Sequence, residues 1–180
     1  MKDKKRRGFS LLELLLVLGV IAALIVSAFI IFPKVKASAN ARTEVSNLNA
    51  INSGIRALYN GQTDYTGLNN SVAIQANIIP DNMIKDGDIV TSFGGRVLIK
   101  SLTVSDGAIY YIRYDDVPPD VCINMLTGLK GGFDQIYIEG QNIIDGQGNV
   151  DMSRGLGNCK AFGKAYMSFL VGNTSEKLMI

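Results

Sequence analysis

An uncharged apolar run near the start of the chain limits what the protein can fold into more than any other feature. Residues 14–32 are 19 consecutive residues without a charge, and 14 of them are Leu, Ile, Val or Phe. A helix rises about 1.5 Å per residue, so this run together with residues 9–12 can cross a bilayer core of about 30 Å. The sequence therefore predicts one membrane-spanning helix.

The charges before this run predict its orientation. Residues 2–7 contain five Lys or Arg and one Asp. Positive charge stays on the cytoplasmic side, so we expect a cytoplasmic N-terminus and export of the remainder. Residues 2–7 contribute +4 to a formal net charge of +2, which leaves −2 for the rest. Because no basic patch with interleaved aromatic residues follows, no nucleic-acid partner is expected.

Glu13 is the one carboxylate at the edge of this apolar segment. A carboxylate costs about 3 kcal/mol at the centre of a bilayer, and the apolar residues outweigh that cost. Two interpretations stay open. Glu13 is either hydrated near the lipid headgroups, or it pairs with a cation that is itself removed from water.

The run from Gly8 to Glu13, GFSLLE, resembles the processing signature of type IV prepilins and pseudopilins. The resemblance implies that a membrane prepilin peptidase cleaves between Gly8 and Phe9 and methylates the new amino group of Phe9. It also implies that Glu13 contacts the N-terminal amine of a neighbouring copy as the chains form a homopolymer. The assembly machinery, including an ATPase, would be separate proteins.

Two alternatives apply to the same segment. A secretory signal peptide would be cleaved after Ala39, in the sequence Ala37-Ser38-Ala39, but its apolar core is normally 7 to 15 residues long and carries no carboxylate. A plain single-pass anchor is the other alternative, and it leaves the spacing from Gly8 to Glu13 unexplained.

A second, amphipathic helical stretch follows Pro33, which should bend or loosen the helix. Its apolar residues recur mostly at steps of three and four: Val35, Ala39, Val45, Leu48, Ile51, Ile55, Leu58 and Tyr59. The pair Asn60-Gly61 is suited to a helix C-terminus. The predicted organisation is a leader at 1–8, a membrane or filament-core helix at 9–33, an amphipathic helix at 34–60 and a globular domain at 61–180.

Short strands punctuated by Gly, Asn and Asp are predicted beyond Gly61. Val97, Ile99 and Leu102 are expected to face inward. Pro118-Pro119-Asp120 should begin a short helix that ends before Gly131-Gly132. The predicted strands are 90–92 and 96–104 around a turn at 93–95, then 108–114, brief strands near 136–138 and 143–144, and finally 165–171. A helix followed by an antiparallel sheet is an α+β fold.

Three stretches of this domain look like type IVb pilins, particularly the bundle-forming and conjugative thin-pilus subunits. They are residues 58–68 (LYNGQTDYTGL), 79–82 (IPDN) and 92–95 (SFGG). With them the resemblance covers most of the chain. The short leader and Phe9 are instead of the type IVa and pseudopilin kind, which leaves the subclass open.

The two cysteines, Cys122 and Cys159, both follow the membrane segment. In an oxidising compartment such a pair predicts a disulfide, with two buried free thiols as the alternative. Many type IV pilins carry a disulfide loop in their C-terminal region, so the resemblance favours the bond.

The chain has no histidine, which excludes histidine-based triads and histidine-ligated zinc. No cofactor, metal or enzymatic activity is predicted. Residues 145–151 (DGQGNVD) have oxygen ligands for calcium, but their spacing favours a hairpin turn. The pair Asp115-Asp116, which precedes two prolines, is predicted to lie in a loop.

The leading hypothesis is a structural subunit of a type IV pilus, which waits in the inner membrane and then assembles into an extracellular filament. Such a filament would serve adhesion, aggregation or conjugative transfer. A minor pilin or secretion pseudopilin is the nearest alternative. A membrane-tethered periplasmic domain is the alternative from another class.

Overall fold

The computed structural model describes residues 10–104, 107–129, 131–145 and 147–172. The chain divides into two compact units, Met1–Lys36 and Ala37–Ile180. The helices are α1 (Leu11–Leu58), α2 (Asn70–Gln75), α3 (Pro119–Gly128) and α4 (Met152–Ala161). The strands are β1 (Ile84–Lys85), β2 (Asp88–Ile89), β3 (Val97–Val104), β4 (Gly107–Val117), β5 (Gln135–Ile138), β6 (Gln141–Asn142) and β7 (Ala165–Val171). A helix followed by an antiparallel sheet confirms the predicted α+β class.

Helix α1 is continuous through Pro33 and therefore belongs to both units. Proline lacks a backbone N–H, so the Phe29 carbonyl has no helical donor four residues later. The helix nevertheless runs on to Leu58, and Gly61 follows with a φ of +82°. Glycine accepts this left-handed conformation without a steric penalty, which explains the end of the helix close to the predicted Asn60-Gly61 pair.

In the second unit, α1 packs one stripe of side chains into the core. The fully buried members of that stripe are Ala41, Glu44, Leu48, Ile51 and Ile55. Their steps of three and four residues keep them on one face of the helix. Four of them are apolar and Glu44 is a carboxylate, which the apolar pattern did not predict to be buried.

The main sheet is antiparallel, and its spatial order is β3-β4-β7-β5-β6. The last strand in sequence, β7, lies at the centre between β4 and β5. Its bounds, Ala165–Val171, match the predicted strand. Because strand residues alternate between the two faces, Val97 and Ile99 join the core beside α1.

Leu102 was wrongly predicted to face inward. It is three residues from Ile99, an odd step, so it lies on the opposite face of the sheet. There it packs against a separate cluster made of Ile109, Tyr111, Tyr137 and Leu170.

The placement of Asp115-Asp116 in a loop was also wrong, because both residues lie in β4. The register of β4 against β7 shifts between Tyr114 and Val117, and Asp116 has a φ of +56°. This irregularity is a β-bulge, which bends the strand without ending it. Asp115 pairs with Arg113 at 2.9 Å, and Asp116 lies 3.8 Å from Lys164.

Candidate functional site

The first unit presents an apolar helix surface that is exposed on all sides. Leu11 and Phe29 are both 77% exposed, and the side chains described between them are exposed as well. A helix that is apolar all round belongs in lipid or among other helices. Within the part of the chain that the structure describes, α1 is the one helix long and apolar enough to cross a membrane.

The polar groups of this segment are arranged as a membrane helix requires. The Ser27 hydroxyl donates to the Ala23 carbonyl of its own helix at 2.8 Å, so it needs no partner from outside. Glu13 lies exposed in the first helical turn, where the helix dipole favours a negative charge. Gly8 and Phe9, the predicted cleavage and methylation residues, lie outside the described residues.

Cys122 and Cys159 form a disulfide that joins α3 to α4. Their Cα atoms are 5.8 Å apart, a usual distance for a disulfide, and both side chains are fully buried. Gly155 lets the helices approach closely, since a Cβ there would lie 2.8 Å from Leu126 Cδ1. The predicted disulfide is therefore present, and it closes a covalent loop of the second unit.

Helix α4 was not predicted from the sequence, because two glycines weaken the helical pattern of Met152–Ala161. The Asp151 side chain caps this helix by accepting from the Arg154 N–H at 3.0 Å. The sequence had predicted a hairpin turn for Asp151 and not a helix cap. The local sequence signal for the start of α4 is the N-cap residue Asp151 directly before Met152.

Polar side chains of α1, among them Asn52 and Glu44, form hydrogen bonds to the rest of the second unit. The Asn52 side-chain amide donates to the Gly132 carbonyl at 3.1 Å, and its oxygen accepts from the Tyr110 hydroxyl. Eight residues earlier in the chain, Glu44 Oε1 accepts from the Ser92 backbone N–H at 2.6 Å. These contacts tie α1 to three separate segments: one following α3, strand β4, and one preceding β3.

Tyr114 lies fully buried beside Glu44. Burial, and in second place the charge of Glu44, hold the pKa of Tyr114 well above its usual value. The Tyr114 hydroxyl and Glu44 Oε2 are both buried without a hydrogen-bond partner among the described residues. A polar cluster of this kind stands out in a core that is otherwise apolar.

The hairpin-turn interpretation of residues 145–151 agrees with the structure. The Asp145 carboxylate accepts from the backbone N–H groups of Gln147 and Asn149, at 2.9 and 2.8 Å. These hydrogen bonds lower the pKa of Asp145, and the bond from the Asn149 N–H has the largest effect. The carboxylate thus stabilises its own turn. Over the described ranges, no three His, Cys, Asp or Glu residues are grouped as a metal site would require.

A long helix with an exposed apolar first part and an antiparallel, disulfide-closed domain define the class of type IV pilins. The fold is similar to that of TcpA, a type IV pilin from Vibrio cholerae El Tor biotype. The TM-score is 0.58 at 13% sequence identity, over 74% of this chain and 99% of that one. Residues 38–171 match the family described as PilS N terminal, and the chain belongs to that family. Residues 3–29 match the prokaryotic N-terminal methylation motif.

Two curated relatives are similar over most of their length. Both are described as the major structural subunit of the bundle-forming pilus, one from Escherichia coli O127:H6 strain E2348/69 and one from Escherichia coli O111:H-. They are 26% and 25% identical over 154 residues, which is 83% of this chain and 80% of each relative. The predicted resemblance to bundle-forming pilins is confirmed, and the chain is a structural pilin rather than an enzyme.

Proposed function

We propose that this chain is the major subunit of a type IV pilus, made as a precursor in the inner membrane and assembled into a surface filament. The observation that carries the proposal is the exposed apolar surface of α1 in the first unit. Before assembly this surface needs lipid, and afterwards it needs the helices of neighbouring copies. The transfer between these environments conserves apolar burial, so packing and polar pairing must favour the filament.

The precursor would be inserted with its N-terminus in the cytoplasm and the second unit in the periplasm. A prepilin peptidase would then cleave between Gly8 and Phe9 and methylate Phe9. The match to the methylation motif over residues 3–29 supports this step. A separate ATPase would supply the energy for extraction from the membrane, and no nucleic acid takes part.

Glu13 would form the polar pairing in the filament. Its partner would be the Phe9 amine of a neighbouring copy, which cleavage creates. Because the filament core excludes water, a carboxylate there needs a cation to offset its desolvation. The exposure of Glu13 in the first turn of α1 is compatible with an intermolecular contact.

The experiment is to shear surface filaments from cells and identify their components by mass spectrometry. We expect this chain to be the main component, in agreement with the description of its relatives as major subunits. A trace amount in filaments built from another pilin would instead indicate a minor pilin or pseudopilin. Full activity of the host system after deletion of residues 1–36 would indicate a tethered periplasmic domain.

A further inference from the structure

The stripe that α1 buries in the second unit nearly repeats itself along the helix. Ala41, Glu44 and Leu48 are each followed seven residues later by an apolar residue, namely Leu48, Ile51 and Ile55. Seven residues are two helical turns, or about 10.5 Å of rise. A helix translated by that distance along its groove would again place apolar side chains against the sheet. Apolar burial alone therefore specifies the position of α1 weakly.

Glu44 breaks this repeat. It is 0% exposed, and it occupies a core position of the stripe where the pattern calls for an aliphatic residue. In the described part of the chain, no Lys or Arg forms an ion pair with it. Burying a carboxylate without a cation is unfavourable. Burial of the Glu44 carboxylate is therefore not explained by a gain in stability, and Glu44 is expected to have another role.

The contact that Glu44 makes is specific to one position of the helix. Its Oε1 atom accepts from the Ser92 backbone N–H at 2.6 Å, in the turn where the Gly95 N–H donates to the Thr91 hydroxyl at 2.8 Å. In a translated helix, Glu44 would leave this donor, and an isoleucine would meet it instead. The lost hydrogen bond and the newly unpaired N–H both oppose the translation.

We propose that Glu44 is a positioning residue that fixes the register of α1 on the sheet of the second unit. A single polar residue at a core position is known to set the register of packed helices at some cost in stability. Glu44 acts here in the same way, through the Ser92 N–H. The bond between Asn52 and the Gly132 carbonyl at 3.1 Å is a second, more distant polar contact of the same helix.

The test compares Glu44→Leu with Leu48→Ala in the full-length chain, purified in detergent and labelled at the isoleucine methyl groups. Leu48→Ala should lower the thermal unfolding midpoint, because it leaves a cavity, yet keep one set of NMR signals for Ile51 and Ile55. Glu44→Leu should lower the midpoint less and produce a second set of signals for these two residues. Glu44→Gln keeps an acceptor oxygen and should restore a single set.

The proposal is overturned if Glu44→Leu shows a single set of Ile51 and Ile55 signals at the wild-type chemical shifts. If the leucine variant does not fold, Glu44→Met tests the same point with an unbranched side chain. Failure of both to fold would also contradict the proposal, because Glu44 would then be a residue that stabilises the fold.

A second measurement, the yield of sheared filament, rests on the proposed function. Copies with α1 in two registers cannot all present the same surface to their neighbours, so we expect a severalfold lower yield for Glu44→Leu than for Leu48→Ala. A wild-type yield from a chain with two signal sets would contradict a role in assembly. The NMR result does not depend on filaments, so the two proposals fail separately.

Discussion

At the residue scale, Gly95 shows how closely two backbone segments approach. A Cβ atom at this position would lie 2.0 Å from the Asp115 carbonyl oxygen, far inside contact distance. Its neighbour Gly94 has open space around it but a φ of +88°. The two adjacent glycines are therefore required for different reasons, one for space and the other for conformation.

We predict that Gly95→Ala destabilises the protein by more than about 2 kcal/mol, because backbone atoms must move to admit the methyl group. Gly94→Ala is the matched control, and it should cost about 1 kcal/mol through its left-handed conformation. Thermal unfolding of the purified chains measures both. An equal loss of stability in the Gly95→Ala and Gly94→Ala variants would contradict the close approach of residues 95 and 115.

Glu13 is the residue for which insertion and assembly can be separated. Glu13→Val removes a bilayer cost of about 3 kcal/mol, so the variant should reach the membrane at least as well as the wild type. We predict that it forms far less filament, because the neighbouring Phe9 amine would be buried without its carboxylate. Membrane-fraction abundance, N-terminal mass and sheared filament should be measured in the same strain.

Ser27→Ala is the control for this experiment. Its hydroxyl bonds within its own helix, so removal should leave the filament yield unchanged. Normal yield from Glu13→Val would show that the carboxylate is only tolerated. Reduced membrane abundance would mean that insertion, and not assembly, had failed.

At the scale of elements, the disulfide holds together two short helices that would not be stable alone. Each of α3 and α4 has 10 residues, and isolated helices of this length are marginal in water. The cysteines are 37 residues apart in sequence. Cross-linking a loop of this size stabilises a fold by about 4 kcal/mol in the chain-entropy model.

We predict that Cys122→Ser lowers the stability by several kcal/mol and depletes filaments more than it depletes membrane-held precursor. Thr127→Ala, an exposed change on the same helix, should have little effect. Unfolding curves with and without reductant provide the measurement. Alkylation of both thiols in unreduced filaments would contradict the bond between Cys122 and Cys159.

At the scale of the whole molecule, the mature protein should begin at Phe9, with its amino group methylated. We predict that Gly8→Ala is cleaved slowly or not at all and that the uncleaved chain accumulates in the membrane. The control is Gly19→Ala, a change within α1 where a Cβ meets no atom within 4 Å. Intact-mass measurement distinguishes the outcomes, and a terminus at Asn40 would show that a signal peptidase had acted instead.

The sequence by itself determined the features that depend on neighbouring residues. The apolar run at 14–32 predicted a membrane-type helix. Gly61 marked the C-terminal end of α1, and Pro119 marked the start of α3. The bounds of β7 followed from a short apolar run between glycines. In each case the signal is local, because helix periodicity, proline geometry and glycine conformation act within a few residues.

Only the tertiary structure decided which segments meet. The central place of β7, the outward side of Leu102 and the bulge at Asp116 all follow from strand pairing between distant residues. The burial of Glu44 depends on a backbone N–H that lies 48 residues further along the chain. In the sequence, Glu44 is a polar residue that interrupts an apolar pattern. Its hydrogen-bond donor is distant in sequence and is brought next to it only by the fold.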